Sequence, residues 1–337
     1  MEFYIGRFKG VERKTYELEV VTPMFLGGAN PRDANPKDVE LRIPPIKGML
    51  RFWWRATCAI NGISEMKEKE DEIFGSTKIK SSFSVSLCLN DELKSELEFN
   101  VYKKNAGKAG NFKVHDNNVN ILDYLSYGTY EYKKGKGNQY NKKHLIPTAK
   151  FNIRFCFYNS QYKAEVMKAF KCLLSFGGLG AKTRNGFGSI YCIDEDINSL
   201  YSDIKDIKDF CEGEPKEYTS FSENAKLFKF SEQESWEKAI SEIGMVYRES
   251  RTSVESHHSY DKRSLISAPL QVNKQNKAFD ERHSKPYFLK VQKLQNGKFL
   301  GLILFLPYKY HRKEKLKEYN SACDGINNKI IEIIEKK

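Results

Sequence analysis

The sequence predicts an α/β (α+β) chain that is built from two similar halves. Its 337 residues are more than one small domain needs, which favours two units. Hydrophobic residues make up 40% and charged residues 30% of the chain, enough for a core, so a disordered chain is excluded. The same succession of strand and helix patterns occurs twice, without a collagen-like or coiled-coil period.

In the first half, alternation and helical periodicity predict five strands and three helices. The strands are expected at 15–22, 82–89, 97–102, 151–158 and 189–193, and the helices at about 46–60, 64–74 and 163–175. Pro44 and Pro45 begin the first helix, because proline is tolerated in a first helical turn.

The second half is predicted to repeat this order after a polar linker at 204–222. Strands are expected at 226–230, 264–272, 287–293 and 298–306, and helices at 232–248 and 313–334. Asn296 and Gly297 predict the turn of a hairpin.

Both halves therefore follow the order strand–helix–strand–strand–helix, and a closing strand is clear only in the first. This is the ferredoxin-like (RRM-like) βαββαβ pattern, which RNA-recognition domains share but which hosts many activities. We expect two such domains packed together, at residues 1–215 and 216–337.

A lysine-rich segment interrupts the first half. Residues 101–150 hold ten lysines and three acidic residues, with many asparagines and glycines. This composition predicts a basic insertion or mobile loop at about 103–147.

The net charge of +12 favours a polyanionic partner, either nucleic acid or an acidic membrane face. The N-terminus has no apolar signal-peptide core, and the longest apolar stretch, 300–306, is far too short to span a bilayer. A cytoplasmic protein is therefore expected. Nucleic acid is preferred to a membrane, because no basic segment carries an insertable apolar face.

The seven cysteines are scattered singly, and none forms a C-x-x-C pair. Zinc sites need clustered thiolates, and disulfide frameworks suit small secreted chains. We expect reduced cysteines, mostly in the core, and no metal or other cofactor.

The first helix carries a basic face. On a helical wheel Lys47, Arg51 and Arg55 fall in one sector with Trp54 at its edge, whereas Trp53 lies on the apolar side. Three cations beside a half-exposed indole suit single-stranded nucleic acid, because cations bind phosphates and aromatic faces stack bases. The alternative, equally compatible with the wheel, is a solvated face with Trp54 covered by arginine stems.

A glycine-rich loop at 177–188 is the second candidate. Five glycines allow a close approach of the backbone to a ligand, and Lys182 and Arg184 add positive charge. The spacing is not that of a Walker A loop, and the loop follows a helix instead of preceding one. A helix C-cap with a turn would explain one or two of the glycines, so we favour contact with a nucleic-acid backbone.

Signals for catalysis are weak. His257 and His258 lie near Tyr260 and Lys262, a set that could cleave RNA by acid–base chemistry, although a simple basic loop is the favoured interpretation. The dipeptide at 115–116, His-Asp, resembles a metal-binding pair but stands alone in the lysine-rich segment. No established hydrolase motif is present.

Four segments together resemble the RAMP superfamily of CRISPR-associated proteins. They are TPMFLGG at 22–28, LRIPPIKGMLRFWWR at 41–55, the glycine loop at 177–188 and RSLISAPLQV at 263–272. The first two resemble more narrowly the first-subunit family of the type III-B Cmr effector complex. Two departures are Asn185, where members often have a second arginine, and Ala268, where the Ser-Pro core of the last motif is Ala-Pro.

The resemblance implies two ferredoxin-like domains and a non-catalytic, RNA-binding structural subunit in antiviral defence. Its partners would be guide (CRISPR) RNA, target RNA and other RAMP subunits. The residues implied in RNA binding are Lys47, Arg51, Trp54, Arg55, Gly178, Gly180, Lys182, Arg184, Gly186 and Gly188. Two alternatives stay open: a RAMP-type endoribonuclease that processes CRISPR RNA with His257 or His258, and a scaffold whose cations face partner subunits.

Overall fold

A computed structural model describes residues 10–27, 39–89, 92–114, 117–194, 213–256, 259–268 and 283–336. The helices are α1 (Ile43–Thr57), α2 (Ile63–Phe74), α3 (Asn100–Asn105), α4 (Ile121–Leu125), α5 (Lys163–Phe176), α6 (Trp236–Thr252), α7 (Asp261–Ile266) and α8 (Leu316–Glu335). The longer strands are β1 (Glu12–Val20), β3 (Phe83–Cys88), β10 (Lys150–Phe157), β11 (Ile190–Cys192), β12 (Lys226–Gln233), β13 (Tyr287–Lys293) and β14 (Phe299–Phe305). The short strands are β2 (Met24–Phe25), β4 (Ser95–Glu96), β5 (Asn111–Val114), β6 (Asn117–Asn120), β7 (Tyr130–Lys133), β8 (Gly137–Tyr140) and β9 (His144–Leu145).

The first sheet is antiparallel with the strand order β11-β1-β10-β3. Along β10 every second residue is buried, which places Phe151, Ile153, Phe155 and Phe157 in the core with α1 and α5. The period-2 alternation of a strand produces this one-sided apolar face. The mixed α/β class is therefore confirmed.

The second sheet is antiparallel with the order β12-β14-β13. Helix α6 lies close against β14, since a Cβ atom on Gly301 would stand 2.4 Å from Ile243 Cγ2. Helix α8 completes this core with Tyr319 and Ile326. The described residues of the second half contain no fourth strand of this sheet.

Two predicted strands are wrong. Residues 97–102 overlap α3, and residues 264–266 of the strand predicted at 264–272 belong to α7, whereas 269–272 lie outside the described residues. The N-terminus of α7 is stabilised from the preceding turn, where the Glu255 carboxylate accepts the backbone N–H groups of Lys262 at 2.8 Å and Arg263 at 3.1 Å. A side chain that accepts hydrogen bonds from the free N–H groups of a first helical turn stabilises the helix. The apolar–polar alternation from which strands are predicted does not contain this contact.

The lysine-rich segment 103–147 is folded, so the expected mobile loop is wrong. Ile121, Leu122 and Leu125 of α4 are buried in the core of the second sheet. They pack against α6 at Gly244, where an added Cβ atom would meet Ile121 and Leu125 at 2.8 Å. The segment thus joins the two halves.

Each of the two apolar cores contains residues from the other half of the chain. Phe288 and Leu304 of the second sheet are buried in the first core, and Phe25 and Phe187 are buried in the second.

The long helices are amphipathic or charged. In the described ranges, none combines the length and the apolar character needed to cross a bilayer.

Candidate nucleic-acid interface

The basic face of α1 is directed towards α2. Lys47 Nζ donates to the Phe74 carbonyl at 3.2 Å and lies 5.3 Å from the centre of the Phe83 ring. Burial, and secondarily the charge of Arg51, lowers the pKa of Lys47. Lys47 therefore anchors α1 to the end of α2.

A single carboxylate joins the two arginines of this face. Glu70 of α2 is 8% exposed, and it pairs with Arg51 at 2.7 Å and with Arg55 Nε at 3.3 Å. Arg51 also donates to the Gly75 carbonyl and lies over the Phe74 ring. Arg55 differs, because 40% of its side chain is exposed and both of its hydrogen-bonding or ionic contacts in the described ranges use Nε. Its Nη groups are thus the part of the basic face that is open to a ligand.

Trp54 is buried, so the expected half-exposed indole is wrong. It is 2% exposed, and its Nε1 donates to Glu165 Oε2 of α5 at 2.8 Å. The opposite side packs edge-to-face against Phe74 of α2 at 6.1 Å. The helical wheel shows one helix alone, whereas α2 and α5 cover both sides of this indole.

The glycine loop packs against the segment at residues 22–25. The N–H of Gly188 donates to the Pro23 carbonyl at 3.0 Å, and the N–H of Ala181 donates to the Phe25 carbonyl at 2.8 Å. The Thr22 hydroxyl donates to the Gly186 carbonyl at 2.8 Å. These two sequence motifs therefore form one structural unit.

Close backbone packing explains the glycines. At Gly188, where φ is +66°, a Cβ atom would stand 1.9 Å from the Leu179 carbonyl oxygen, and at Gly180, where φ is +88°, 2.4 Å from that of Phe25. Gly178 and Gly186 are buried against the Gly188 carbonyl and Ile240. Of the four predicted ligand-binding glycines, Gly180 is the exposed one.

Arg184 extends from the loop to the second half. Its guanidinium lies 4.4 Å from the centre of the Phe288 ring and 5.5 Å from that of Phe52, and it donates to the Lys285 carbonyl. Its own carbonyl accepts the N–H of Leu289 at 3.1 Å, which ties the loop to β13. Burial lowers the pKa of Arg184 to about 10, so the side chain stays protonated at neutral pH.

More positive charge lies beside Arg184. Lys182 is half-buried with φ at +63°, and burial lowers its pKa. The Lys285 side chain lies 4.3 Å from the centre of the Tyr247 ring. Burial first, and then the charges of Arg251, Arg184 and Lys182, hold the pKa of Lys285 well below its usual value. A group of cations thus crowds the contact between the glycine loop and the second half.

A cleft brings the two predicted segments together. A cavity of about 390 Å³ is lined by Arg55 and Phe52 of α1, Arg184 of the glycine loop, and Tyr218 and Tyr308. Glu217, Thr219, His283 and Ser284 complete its lining. Two arginines and flat aromatic side chains meet here, which is the chemistry that binds phosphate and stacks bases. Below, "the arginine cleft" denotes this cavity.

Sequence reasoning missed several residues of the arginine cleft. Phe52 falls on the apolar side of the helical wheel, which predicts a core residue, and Tyr218, His283 and Tyr308 lie in segments without periodicity. The aromatic and basic run at 308–311, Tyr-Lys-Tyr-His, is a sequence signal for Tyr308 alone.

The candidates for catalysis lie mostly outside the described residues, namely His257, His258, His115 and Asp116. Arg263, near the first pair, lies over the Tyr260 ring at 4.6 Å and pairs with Glu255 at 2.7 Å. Three of the six cysteines in the described part are buried and three are half-buried, all as free thiols. No group of three His, Cys, Asp or Glu residues that could hold a metal occurs in that part.

Comparison with protein families identifies the chain. The model of the RAMP superfamily matches residues 17–191, which is more than half of the sequence. The chain belongs to the RAMP superfamily. The match includes α1, the lysine-rich segment and the glycine loop, and with them three of the nine residues that line the arginine cleft, Phe52, Arg55 and Arg184.

Cmr proteins are the relatives found in this superfamily. The CRISPR system Cmr subunit Cmr1-2 of Pyrococcus furiosus is 28% identical over 187 residues, 52% of this chain and 92% of that protein. The crystal structure of apo Cmr1 from Pyrococcus furiosus matches with a TM-score of 0.58 at 17% identity, covering 94% of this chain and 96% of that one. A chain in the cryo-EM structure of the type III-B Cmr-beta complex with cognate target RNA, AMPPnP and ssDNA matches with a TM-score of 0.50 at 14% identity, over 94% and 99%. The chain therefore resembles Cmr1 in sequence and fold.

Proposed function

We propose that the chain is a non-catalytic, RNA-binding structural subunit of a type III-B Cmr effector complex. The likeness to Cmr1-2 and to Cmr1 supports membership of such a complex. Guide RNA, target RNA and neighbouring RAMP subunits are the partners in this proposal. Its two units are ferredoxin-like domains at 1–215 and 216–337, and the order β11-β1-β10-β3 of the first sheet supports this topology for the first of them.

The convergence of Arg55 and Arg184 in one cleft carries the proposal. The two residues are 129 positions apart in the sequence and come from a helix face and a loop that were each predicted to bind RNA. Arginine forks bind phosphate oxygens, and the rings of Tyr218 and Tyr308 can stack bases of any identity. Binding is therefore expected to depend on salt and little on sequence.

The other predicted residues have supporting roles in this proposal. Lys47 and Arg51 fix α1 against α2, and Trp54 fixes it against α5, so that Arg55 faces the arginine cleft. Gly178, Gly180, Gly186 and Gly188 shape the loop that presents Lys182 and Arg184. Of the ten residues predicted to bind RNA, Arg55, Lys182 and Arg184 are therefore the ones that contact it directly in this proposal.

Arg55→Ala is the first test. Removing its guanidinium leaves Arg51 to pair with Glu70, so the fold should survive while single-stranded RNA binds several-fold more weakly. If Arg55 neutralises one phosphate, the slope of log K against log salt decreases by about 0.7. Fluorescence anisotropy with a labelled oligoribonucleotide at several salt concentrations measures both quantities.

Arg154→Ala is the matched control. Arg154 is an exposed arginine on β10, outside the arginine cleft, where it hydrogen-bonds to Thr15. This variant loses the same charge and should bind RNA like the wild type. Equal loss in Arg55→Ala and Arg154→Ala would contradict the location of the site, and cleavage of the RNA at a fixed position would contradict a non-catalytic role.

A further inference from the structure

The lysine-rich segment contains a hairpin to which the proposed function assigns no role. Strands β7 and β8 form it, and residues 134–136 make the turn between them. Residues 127–143, below "the basic hairpin", hold one acidic residue, Glu131, and five lysines. Five positive charges against one negative give a net +4, a third of the +12 of the whole chain. A polyanion is the partner that this concentration of charge favours.

The foot of the basic hairpin is anchored in the second core. The Tyr140 ring stacks on Phe99, 4.3 Å between ring centres, and the Tyr140 hydroxyl donates to Asp123 Oδ1 at 2.7 Å. Tyr130 is the cross-strand partner of Tyr140, and the two rings lie 5.3 Å apart. These contacts fix the direction in which the tip of the hairpin points.

The tip exposes an aromatic ring. Tyr132 is 73% exposed, and it forms no hydrogen bond, ring contact or cation–π contact with any residue that the structure describes. It shares a strand face with Tyr130 and Tyr140, because residues two apart along a strand and residues directly opposite point to the same side. The second core covers those two tyrosines and leaves Tyr132 uncovered, so its ring is available to stack on a base.

The lysines of the tip have no counter-charge. Three are exposed, and none of their side chains hydrogen-bonds or forms an ion pair within the described ranges, namely Lys133, Lys134 and Lys136. Glu131 instead accepts from Asn141 Nδ2 at 3.2 Å. Unpaired cations beside an uncovered ring suit a single strand, which offers phosphates and open base faces together, whereas the bases of a duplex are stacked on one another.

The root of the basic hairpin touches the glycine loop. Asn185 Nδ2 donates to the Leu125 carbonyl at 2.6 Å, just before the hairpin. Lys182 Nζ lies 3.6 Å from the position of a Cβ atom on Gly128. The loop that carries Arg184 into the arginine cleft therefore also brings a cation to the hairpin.

We propose that the basic hairpin is a second contact for single-stranded RNA, in which the Tyr132 ring stacks on a base and Lys133, Lys134 and Lys136 bind the neighbouring phosphates. The choice of RNA over DNA rests on the proposed function. The contact itself rests on the hairpin and does not require the arginine cleft.

Tyr132→Ala tests the stacking. In fluorescence anisotropy with a labelled oligouridylate, this variant should bind about fivefold more weakly or worse, the loss expected for one stacked base, with the salt dependence unchanged. Tyr132→Phe keeps the ring and should bind like the wild type. Tyr158→Ala is the matched control, because Tyr158 is also an exposed tyrosine beside a lysine but follows β10 of the first sheet. It should leave RNA binding unchanged.

A triple variant, Lys133→Gln/Lys134→Gln/Lys136→Gln, tests the phosphate contacts. The three side chains are exposed, so the variant should fold. If each lysine neutralises one phosphate, the slope of log K against log salt decreases by about 2. The matched control removes three exposed lysines elsewhere, Lys67→Gln/Lys78→Gln/Lys317→Gln, and should keep the wild-type slope.

Arg55→Ala, measured in the same assay, separates this inference from the proposed function. If the hairpin variants weaken binding and Arg55→Ala does not, the location of the site in the arginine cleft is refuted and the hairpin contact stands. If Arg55→Ala weakens binding while Tyr132→Ala and the triple variant bind like the wild type, the hairpin contact is refuted. Equal losses in the triple variant and its control, or in Tyr132→Phe and Tyr132→Ala, would also refute it. No RNA binding by the wild type would refute both.

Discussion

At the scale of single residues, Lys290 is an ionisable group buried between the two halves. It lies on β13, is 1% exposed, and donates from Nζ to the Gly177 carbonyl at 2.9 Å, next to the end of α5. A cation at a helix C-terminus is favourable, but burial lowers the pKa of Lys290 to about 7. Much of the protein therefore carries this side chain uncharged at slightly alkaline pH.

Lys290→Met should remove a pH dependence of stability. The pKa is about 7 in the folded chain and about 10.4 in the unfolded chain, so between these values the unfolded chain binds more protons. The stability that depends on Lys290 therefore rises with pH across this window and is constant below pH 7. Urea unfolding at pH 7, 8 and 9 measures the free energy of unfolding of both proteins. The value for the wild type should increase relative to that for Lys290→Met as the pH rises, by at most about 1.4 kcal/mol per pH unit. Parallel pH profiles of the two proteins would contradict this titration.

At the scale of elements, the glycine loop and the segment at 22–25 act as one unit. Gly188 is the tightest point, since its N–H donates to Pro23 and its Cα lies against the Leu179 carbonyl. The arginine cleft depends on this packing, because Arg184 precedes Gly188 in the same loop and reaches β13.

Gly188→Ala should cost much more stability than Gly297→Ala. Both glycines have positive φ, +66° and +80°, for which alanine pays about 1–2 kcal/mol. At Gly297, in the hairpin turn, a Cβ atom meets nothing within 4 Å, whereas at Gly188 it would stand 1.9 Å from a carbonyl oxygen. The comparison of urea unfolding midpoints isolates the clash. Equal destabilisation of the two variants would mean that the loop relaxes without cost.

The bounds of α1 were predicted well from the sequence, but the element that packs against its basic face was not. Prolines and apolar periodicity are local signals, and they placed the helix within three residues of its observed bounds, Ile43–Thr57. The partner of its basic face is Glu70, and the packing of α2 on α1 is a tertiary contact that no local pattern contains. For the same physical reason Arg55 and Arg184 were found separately, and only the fold brought them into one cleft.

At the scale of the whole molecule, the two halves are joined by shared cores. Phe288 of β13 is buried beside Trp53, at 5.6 Å between ring centres, and Phe187 of the glycine loop packs at 5.4 Å from Phe25 in the second core. The repeated element order predicted two halves. It could not predict that segment 103–147 packs on α6, since that contact joins residues more than a hundred positions apart.

Thermal unfolding should therefore occur as one cooperative transition. Because each core contains residues of both halves, neither half can unfold without exposing the core of the other. Calorimetry should give one peak whose calorimetric and van't Hoff enthalpies agree. Phe288→Ala should move this peak to lower temperature without splitting it. Two resolved peaks in the wild type would indicate independent domains.

The burial of Trp54 also has an optical consequence. The chain has three tryptophans, and Trp53, Trp54 and Trp236 are all at most 6% exposed, two in the first core and one in the second. Their emission reports the integrity of both cores, shielded from aqueous quenchers. When the chain is excited at the red edge of the tryptophan absorption band, the tyrosines of the arginine cleft do not contribute to the emission. Tryptophan emission should therefore change when the cores unfold and stay the same when a ligand occupies the arginine cleft.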